Sequence, residues 1–447
     1  MGVALAGEPV VSVADVVAAG LRDAGVDRVF GAALPGLEHV AVDNPSLAAL
    51  LADADGRLGP GAGAALLPGP ALRVSSRPGA AGEEVRVDDP REVYGAVCRA
   101  GRLARLRTHA TRIHLDVDLD APAPAPADAR AVPVAHLDLR LHLPGAGVVV
   151  LAGPGVVRAA TASWGDTVKG LQSFAAAAGV GVVNTWGAKG VFAWDSPHHL
   201  GTAGLQAADF ELLGFRDADL IVATGVDRDE SADGHFALAP VVDISPIHLA
   251  AAAQHLRRPS RDGAGGATTN ALYARLAAVA QPGYVDPSVP LHPARAVAAA
   301  RAALPDGGLV SADPGVAGLW FARAFPTSVL GSVLVPATRA PGIAAALAFV
   351  ASRRGRAALA VTTSPVDPMT SQILELARST GTSMVVDVWG RDATVDSVDA
   401  HADALGRALR TGGVHLIATP VAARRTADLV DVAGPVVAWG GIDADEE

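Results

Sequence analysis

Small residues follow one apolar segment of the chain in an arrangement that could bind a phosphate. Gly153, Pro154 and Gly155 come directly after the segment GVVVLA. A glycine turn between a strand and a helix can place a phosphate at the helix N-terminus. The same tripeptide is also a common turn, and no acidic residue can be assigned to a ribose. We therefore favour an ordinary turn here.

Two other groups combine side chains that often work in sites. Asp227, Asp229 and Glu230 follow a predicted strand at 220–225, and the carboxyl ends of such strands are where α/β proteins bind ligands. His198 and His199 are adjacent, so in an extended chain they face opposite sides and do not easily ligate one metal ion. A structural or solvent-facing role is the simpler interpretation of both histidines.

Charge and cysteine content exclude several classes of protein. The formal net charge is -10 and no dense Lys/Arg block occurs, so the sequence lacks the electrostatic signature of a nucleic-acid-binding protein. Cys98 is the single cysteine, which rules out an intrachain disulfide and favours a cytoplasmic location. No secretion signal is expected at the start of the chain, and the apolar runs are too short to cross a membrane.

Composition and the order of apolar segments predict an α/β fold. Half of the residues are hydrophobic but only 4% are aromatic, as expected for parallel strands buried under Ala-rich helices. We predict three consecutive doubly wound parallel-sheet domains at 1–120, 135–282 and 283–440. An extended Ala/Pro linker is predicted at 121–134 and an acidic tail at 441–447.

The predicted elements alternate along the whole chain. Helices are expected after residue 11, at 91–107 and in the segment LHPARAVAAARAAL, and a solvated segment is expected at 257–269. The predicted strands include VDRVFGA, residues 114–119, GVVVLA, GVGVVNTW, residues 217–225 and 240–245, SMVVDVWG, GVHLIATP and GPVVAWGG.

Several motifs resemble those of thiamine-diphosphate (ThDP) enzymes of the acetolactate synthase and benzoylformate decarboxylase type. The segment GVDRVFG followed by Pro35-Gly36 resembles the opening of the family's pyrimidine-binding domain. GPGVV, NTWGAKGVFAWDSPHHLGTAGLQ and DADLIVATGVDRDES are similar to its central domain, and VSADPG with PGIAAALAF to its pyrophosphate-binding domain. The resemblance implies a truncated first domain, and it favours a domain-interface loop for residues 227–230.

The resemblance also implies a chemistry that the cofactor performs. ThDP adds to a 2-keto acid, carbon dioxide leaves, and the resulting carbanion can attack a second carbonyl. The family supplies a glutamate that activates the pyrimidine, and a Gly-Asp-Gly turn with a later Asn-Asn pair that holds Mg²⁺ on the diphosphate. FAD in the central domain and a dimer or higher oligomer are further implications.

The sequence departs from this pattern where the metal should bind. Thr363, Ser364 and Pro365 stand in place of Gly-Asp-Gly, and Gly390 and Arg391 in place of Asn-Asn. Neither serine nor glycine replaces the charge that Mg²⁺ requires. Asp367 is a possible substitute ligand, and Arg391 could pair with phosphate directly. The candidate cofactor-binding set is Ser364, Pro365, Asp367, Arg391 and Gly342.

The activating glutamate is also missing. No glutamate occurs between Leu51 and Gly82, and Glu38 is predicted to lie on the surface of a helix after Gly36. Asp53 and Asp55 have a more suitable spacing but are expected on a glycine-rich turn. No catalytic residue can therefore be assigned.

Two hypotheses follow. In the first, the chain is a non-catalytic or repurposed homologue that acts as a binding or partner subunit, either in an oligomer of its own or in a heteromer with an intact ThDP subunit. In the second, it is an active carboligase or decarboxylase in which Asp367 and Arg391 replace the usual ligands, or in which a partner chain completes the site.

Overall fold

The structure is a computed structural model that describes residues 10–59, 61–76, 82–107, 110–126, 143, 147–158, 166–231, 233–254, 256, 271–390 and 394–442. Contacts divide the chain into two compact units, Met1–Ala135 and His136–Glu447. The second part of the predicted linker, the predicted solvated segment at 257–269, Arg391 and the last five residues lie outside the described residues. The predicted domain boundaries stay predictions.

Within its described residues, the first unit contains a six-stranded sheet, a two-stranded sheet and three helices. Its elements are β1 (Val10–Ser12), α1 (Val13–Asp23), β2 (Arg28–Gly31), β3 (Glu38–Ala41), α2 (Pro45–Leu58), β4 (Gly63–Leu67), β5 (Ala71–Ser75), β6 (Gly82–Val87), α3 (Val93–Arg107), β7 (Ala110–Leu115) and β8 (Pro122–Pro124). The sheet order is β3-β2-β4-β5-β7-β6.

One strand of this sheet is antiparallel, unlike the predicted pattern. β5 runs antiparallel to both β4 and β7, whereas the other pairs are parallel. Only Pro68, Gly69 and Pro70 connect β4 to β5. A connection this short permits a hairpin but not the crossover that a parallel pair requires.

The predicted positions of three acidic residues in this unit are wrong. Glu38 lies in strand β3, opposite Arg28 of β2, and not on a helix. Asp53 and Asp55 lie inside α2 and not on a turn, because the helix continues through Gly56 to Leu58. A Cβ on Gly56 would lie 2.1 Å from the carbonyl oxygen of Ser75, so a larger residue does not fit there. Glycine at position 56 therefore allows α2 to pack closely against strand β5.

The beginning of the predicted Ala/Pro linker is also ordered. Pro122–Pro124 forms β8, which pairs antiparallel with β1, and Ala123 is buried. Proline is accepted in a strand at a sheet edge, where its missing N–H costs no ladder hydrogen bond. The strand predicted at 114–119 lies earlier in the chain, at Ala110–Leu115 (β7).

The second unit begins with a parallel five-stranded sheet, as predicted. Its elements are β9 (Val148–Ala152), α4 (Gly155–Arg158), α5 (Thr167–Ala178), β10 (Gly181–Thr185), β11 (His199–Ala203), α6 (Asp209–Leu212), β12 (Leu220–Thr224), α7 (Asp233–Phe236), β13 (Val241–Asp243), α8 (Leu249–Gln254) and α9 (Ala271–Tyr284). The sheet order is β11-β10-β9-β12-β13. The short strand β11 was not predicted.

A second parallel sheet completes this unit. Its elements are α10 (Pro293–Ala303), β14 (Leu309–Ala312), α11 (Val316–Ala324), β15 (Val333–Leu334), α12 (Ile343–Arg353), β16 (Ala358–Thr363), α13 (Pro368–Ser379), β17 (Met384–Gly390), α14 (Val398–Thr411), β18 (Val414–Pro420) and α15 (Thr426–Ala433). The sheet order is β15-β14-β16-β17-β18.

The two sheets of the second unit share apolar packing. Trp186 and Leu205, which flank strands of the first of these sheets, belong to the same buried cluster as Trp320 and Phe321 of α11. The predicted strand GPVVAWGG is wrong: Val436 makes one isolated bridge to Gln206, and a 3₁₀ turn follows at Ala438–Gly440. Three sheets with flanking helices thus confirm the predicted α/β class. Within the described residues, no helix has the length and apolar character needed to span a bilayer.

Candidate functional site

The carboxyl edge of the last sheet has the geometry of an α/β binding site. Strand β14 lies between β15 and β16 in the sheet. The connection after β14 leads to β15 on one side, and the next connection leads to β16 on the other side, so the direction of the connections reverses at β14. Ligands of α/β proteins bind at such a point. Asp313 follows β14, Ser364 follows β16, and Gly342 caps the N-terminus of α12. Asp313 Oδ1 accepts a hydrogen bond of 2.9 Å from the Ala344 N–H, which fixes the start of that helix.

Ser364 and Gly390 are in close contact at this edge. The Ser364 N–H donates to the Trp389 carbonyl oxygen over 2.8 Å, and the Ser364–Pro365 peptide is cis. A Cβ on Gly390 would lie 2.6 Å from the Ser364 Cβ. Ser364 therefore fills the space into which a side chain at position 390 would extend. The structure brings these two residues together at the ends of the paired strands β16 and β17.

Asp367 is engaged in capping a helix. It is the N-cap of α13, and its Oδ1 accepts a 2.9 Å hydrogen bond from the Thr370 N–H. Its Oδ2 accepts a second one, of 2.6 Å, from Thr370 Oγ1. The nearby Gly342 has φ 74°, and a Cβ there would lie 2.8 Å from Met369 Cγ, so glycine is required by both conformation and space.

The acids considered for cofactor activation form ion pairs in the first unit. Arg28 binds Glu38 at 2.6 Å and Asp55 at 3.4 Å, so the structure brings two of the candidates to one guanidinium. Asp53 makes two 2.9 Å hydrogen bonds to the guanidinium of Arg73. Asp53 and Asp55 are buried inside α2, so these arginines supply the partners that buried carboxylates require.

Close packing accounts for the glycine turn after β9. A Cβ on Gly153 would lie 2.4 Å from the Gly225 carbonyl oxygen, and the Gly155 N–H donates to that oxygen over 2.8 Å. The turn therefore packs against the loop after β12, as expected for an ordinary turn. In that loop, buried Glu230 accepts a hydrogen bond from Thr185 Oγ1, and Asp227 caps the Asp229 N–H at 3.1 Å.

A cavity of about 410 Å³ in the second unit was missed by the sequence analysis. Helix α9 supplies most of its apolar lining, and Phe325 and Pro326 after α11 supply more. Its polar lining includes Lys189, His199 and Arg323, which come from a loop, a strand and a helix. The sequence offered one signal: Lys189 is one of only two lysines, in a chain whose other fixed positive charges are arginines.

Arg323 is held in a buried network beside this cavity. Its guanidinium binds Asp209 Oδ1, and both side chains are almost fully buried. It also donates to Gln206 Oε1 at 3.0 and 3.2 Å and to the Thr202 carbonyl oxygen at 2.8 Å. Asp209 Oδ2 accepts from the N–H groups of Leu205 and Gln206. Arg323 is therefore neutralised and rigidly placed.

Lys189 lacks such a partner among the described residues. Its Nζ donates to the Ala322 carbonyl oxygen over 2.8 Å but makes no ion pair. Burial, and then the charge of Arg323, lower the pKa of Lys189 to about 7. Burial, and then Lys189, lower the pKa of His199 to about 4, so its imidazole is neutral at pH 7. The buried His199 Nδ1 has no hydrogen-bond partner in the described part of the chain.

A second buried polar group lies under β17. Asp387 accepts hydrogen bonds from Thr419 Oγ1, from His401 Nε2 at 2.9 Å and from Trp389 Nε1 at 3.2 Å. Asp387 and His401 are fully enclosed. The sequence signal was an aspartate within the apolar strand MVVDVWG, and the network ties three elements of the last sheet together.

Comparison with known proteins supports the family resemblance. Residues 146–260 match the family model "Thiamine pyrophosphate enzyme, central domain". The crystal structure of a protein assigned as a thiamin diphosphate-dependent enzyme, isolated from Mycobacterium smegmatis, is similar with a TM-score of 0.62 and 16% identity. The match covers 92% of this chain and 99% of that one. No curated protein sequence matches.

At 16% identity the structural match shows a shared fold and no more. The central-domain match concerns residues 146–260, which contain β9 to β13. Together, these matches show that residues 146–260 resemble the central domain of thiamine pyrophosphate enzymes and that the chain shares its fold with one solved structure.

Proposed function

We propose that the chain is a ThDP-enzyme homologue that does not bind Mg²⁺ and ThDP by itself and serves as a binding or partner subunit. The contact between Ser364 and Gly390 is the observation that carries this proposal. It leaves an alcohol and a bare backbone where a metal-bound diphosphate would need two oxygen ligands.

The donor set at this edge does not fit a magnesium ion on a diphosphate. Both carboxylate oxygens of Asp367 already accept hydrogen bonds that start α13. Across the described residues, no group of three or more His, Cys, Asp or Glu side chains could hold a metal ion. Withdrawing Asp367 to a metal would remove its helix cap, which is worth about 1 kcal/mol.

Calorimetry with the full chain tests the proposal. We expect no saturable heat when ThDP is added with excess Mg²⁺, and no consumption of pyruvate above the buffer rate. Micromolar binding accompanied by pyruvate turnover would contradict the proposal.

The Asp367→Asn variant decides between the two hypotheses if binding is seen. Asparagine caps a helix as well as aspartate does but carries no charge, so α13 stays intact. Loss of Mg²⁺ and ThDP binding in this variant, with unchanged melting temperature, would support an active enzyme in which Asp367 is a substitute ligand. Unchanged binding would eliminate that role.

The proposed partner role is tested through assembly. We expect the purified chain to form a homodimer or larger oligomer by light scattering, or to form a heteromer with a subunit that carries intact ThDP motifs. Mixing the chain with such a subunit should change the mass of the complex and its ThDP-dependent turnover. A monomer that alters neither would argue against the role.

A further inference from the structure

The cavity beside α9 has the shape and lining of a small-molecule site. Its volume of about 410 Å³ is within the range of known ligand pockets. Leu272, Leu276, Ala277 and Ala280 of α9 form an apolar wall. An organic molecule with an apolar body would therefore be desolvated favourably here.

Aromatic side chains stand at the exposed part of this lining. Trp194 is 48% and Tyr273 46% exposed, large values for residues of this kind. Tyr284 lies deeper and donates its hydroxyl to the Ala324 carbonyl oxygen. Flat aromatic surfaces next to an apolar wall favour a ligand that contains a ring.

The charge of the lining is one-sided. Lys189, His199 and Arg323 line the cavity, whereas none of the described lining residues is an aspartate or a glutamate. Asp209 neutralises Arg323 from outside the lining. Among the described residues Lys189 has no counter-ion, and an anionic ligand would stabilise its ammonium form over the neutral amine.

Lys189 Nζ has hydrogen-bonding capacity left for an anion. Its ammonium form has three protons, of which one is used on the Ala322 carbonyl oxygen. The His199 Nδ1 makes no hydrogen bond within the described residues, but it has almost no accessible surface, so a ligand in the cavity does not contact it in this structure.

We propose that this cavity binds a small organic carboxylate with an aromatic body, with Lys189 pairing with the carboxylate. The apolar wall and the rings of Trp194 and Tyr273 contact the aromatic body of the ligand, and Arg323, held by its buried network, forms another part of the lining. The site shares no residue with the edge around Ser364, so the proposal is independent of whether ThDP binds.

Titration with 1-naphthoate, compared with its neutral analogue 1-naphthamide, tests the proposal. Binding is measured by calorimetry on the full chain. We expect a dissociation constant in the range of tens of micromolar, on the order reached by efficient small ligands. The amide should bind about tenfold more weakly or worse, because it lacks the charge-assisted hydrogen bonds. Equal affinity of the two probes, or no saturable binding of either, would overturn the proposal.

The chain offers a matched pair of lysine variants. Lys189→Met should weaken naphthoate binding about tenfold or more, with little effect on the amide. Lys169→Met is the control, because Lys169 is 79% exposed and its ion pair among the described residues is with Asp166, the N-cap of its own helix. It should leave both affinities unchanged. Equal behaviour of the two variants would refute the assignment.

A measurement on the unmodified protein covers the case in which Lys189→Met does not fold. The chain is acetylated with a limiting reagent, and both lysines are followed by mass spectrometry. We expect 1-naphthoate to slow the acetylation of Lys189 at concentrations that leave Lys169 unaffected. Equal rates with and without the probe would contradict binding at this site.

Discussion

Replacement of Arg323 by methionine should strongly destabilise the second unit. The guanidinium is 2% exposed and its partner Asp209 is 0% exposed, so the variant leaves a buried carboxylate without its cation. It also leaves Gln206 Oε1 and the Thr202 carbonyl oxygen without their donors. Methionine keeps much of the apolar contact of the arginine stem.

The expected loss is about 3–5 kcal/mol in the free energy of unfolding. This is the usual cost of removing one partner from a buried ion pair. The two backbone N–H groups that bind Asp209 Oδ2 remain and keep the loss from being larger. Combining Arg323→Met with Asp209→Ala should cost less than the sum of the single changes, because the two residues share one network.

Tryptophan fluorescence during urea unfolding is a suitable assay. All six tryptophans lie after residue 135, so their emission reports on the second unit alone. Arg216→Met is the control, because Arg216 pairs with Glu211 at the surface, where both side chains are more than 60% exposed. That variant should lose no more than about 1 kcal/mol. If Arg323→Met lost as little, the buried network would not stabilise the unit as argued.

Three further results are expected from the same unfolding assay. Because the pKa of Lys189 is lowered from 10.5 to about 7, the unfolded chain binds more protons at this residue than the folded chain does between these pH values. The free energy of unfolding should therefore rise with pH in this range, and Lys189→Met should flatten that rise. Gly342→Ala should destabilise more than Gly355→Ala, since both have φ near 75° but only the former places a Cβ against Met369; equal losses would argue against the contact. Asp387→Ala should cost about 3 kcal/mol or more by stranding three buried donors; a loss below 1 kcal/mol would show that the network is dispensable.

Local sequence was sufficient for much of the fold. The apolar runs GVVVLA, LIVAT and MVVDVWG became buried parallel strands, because such runs can only be accommodated with both faces of a sheet covered. The turn at Gly153–Gly155 and the helix start at Pro293 were also predictable from residue type. GPVVAWGG failed because the same apolar character also suits a segment that packs against another sheet without pairing along its length.

The ionic partners were not predictable in this way. Glu38 and Asp55 are separated by 16 intervening residues, and only the register of β2 with β3 and the docking of α2 bring both to Arg28. Similarly, Asp367 could be interpreted from sequence as a metal ligand, whereas in the structure its carboxylate caps α13. The sequence shows that a residue carries a carboxylate, but it does not show which residue that carboxylate binds.

The sequence by itself thus predicted the α/β class, and it shows which residues stand at positions 364 and 390 and that no glutamate occurs between Leu51 and Gly82. Only the tertiary structure decided that Ser364 and Gly390 are in contact and that Lys189, His199 and Arg323 line one cavity. The physical reason is that strand formation depends on neighbours in the chain. A binding site depends on distances between residues of separate elements, such as Lys189 and Arg323, which are more than a hundred positions apart and which only the packing of helices and sheets brings together.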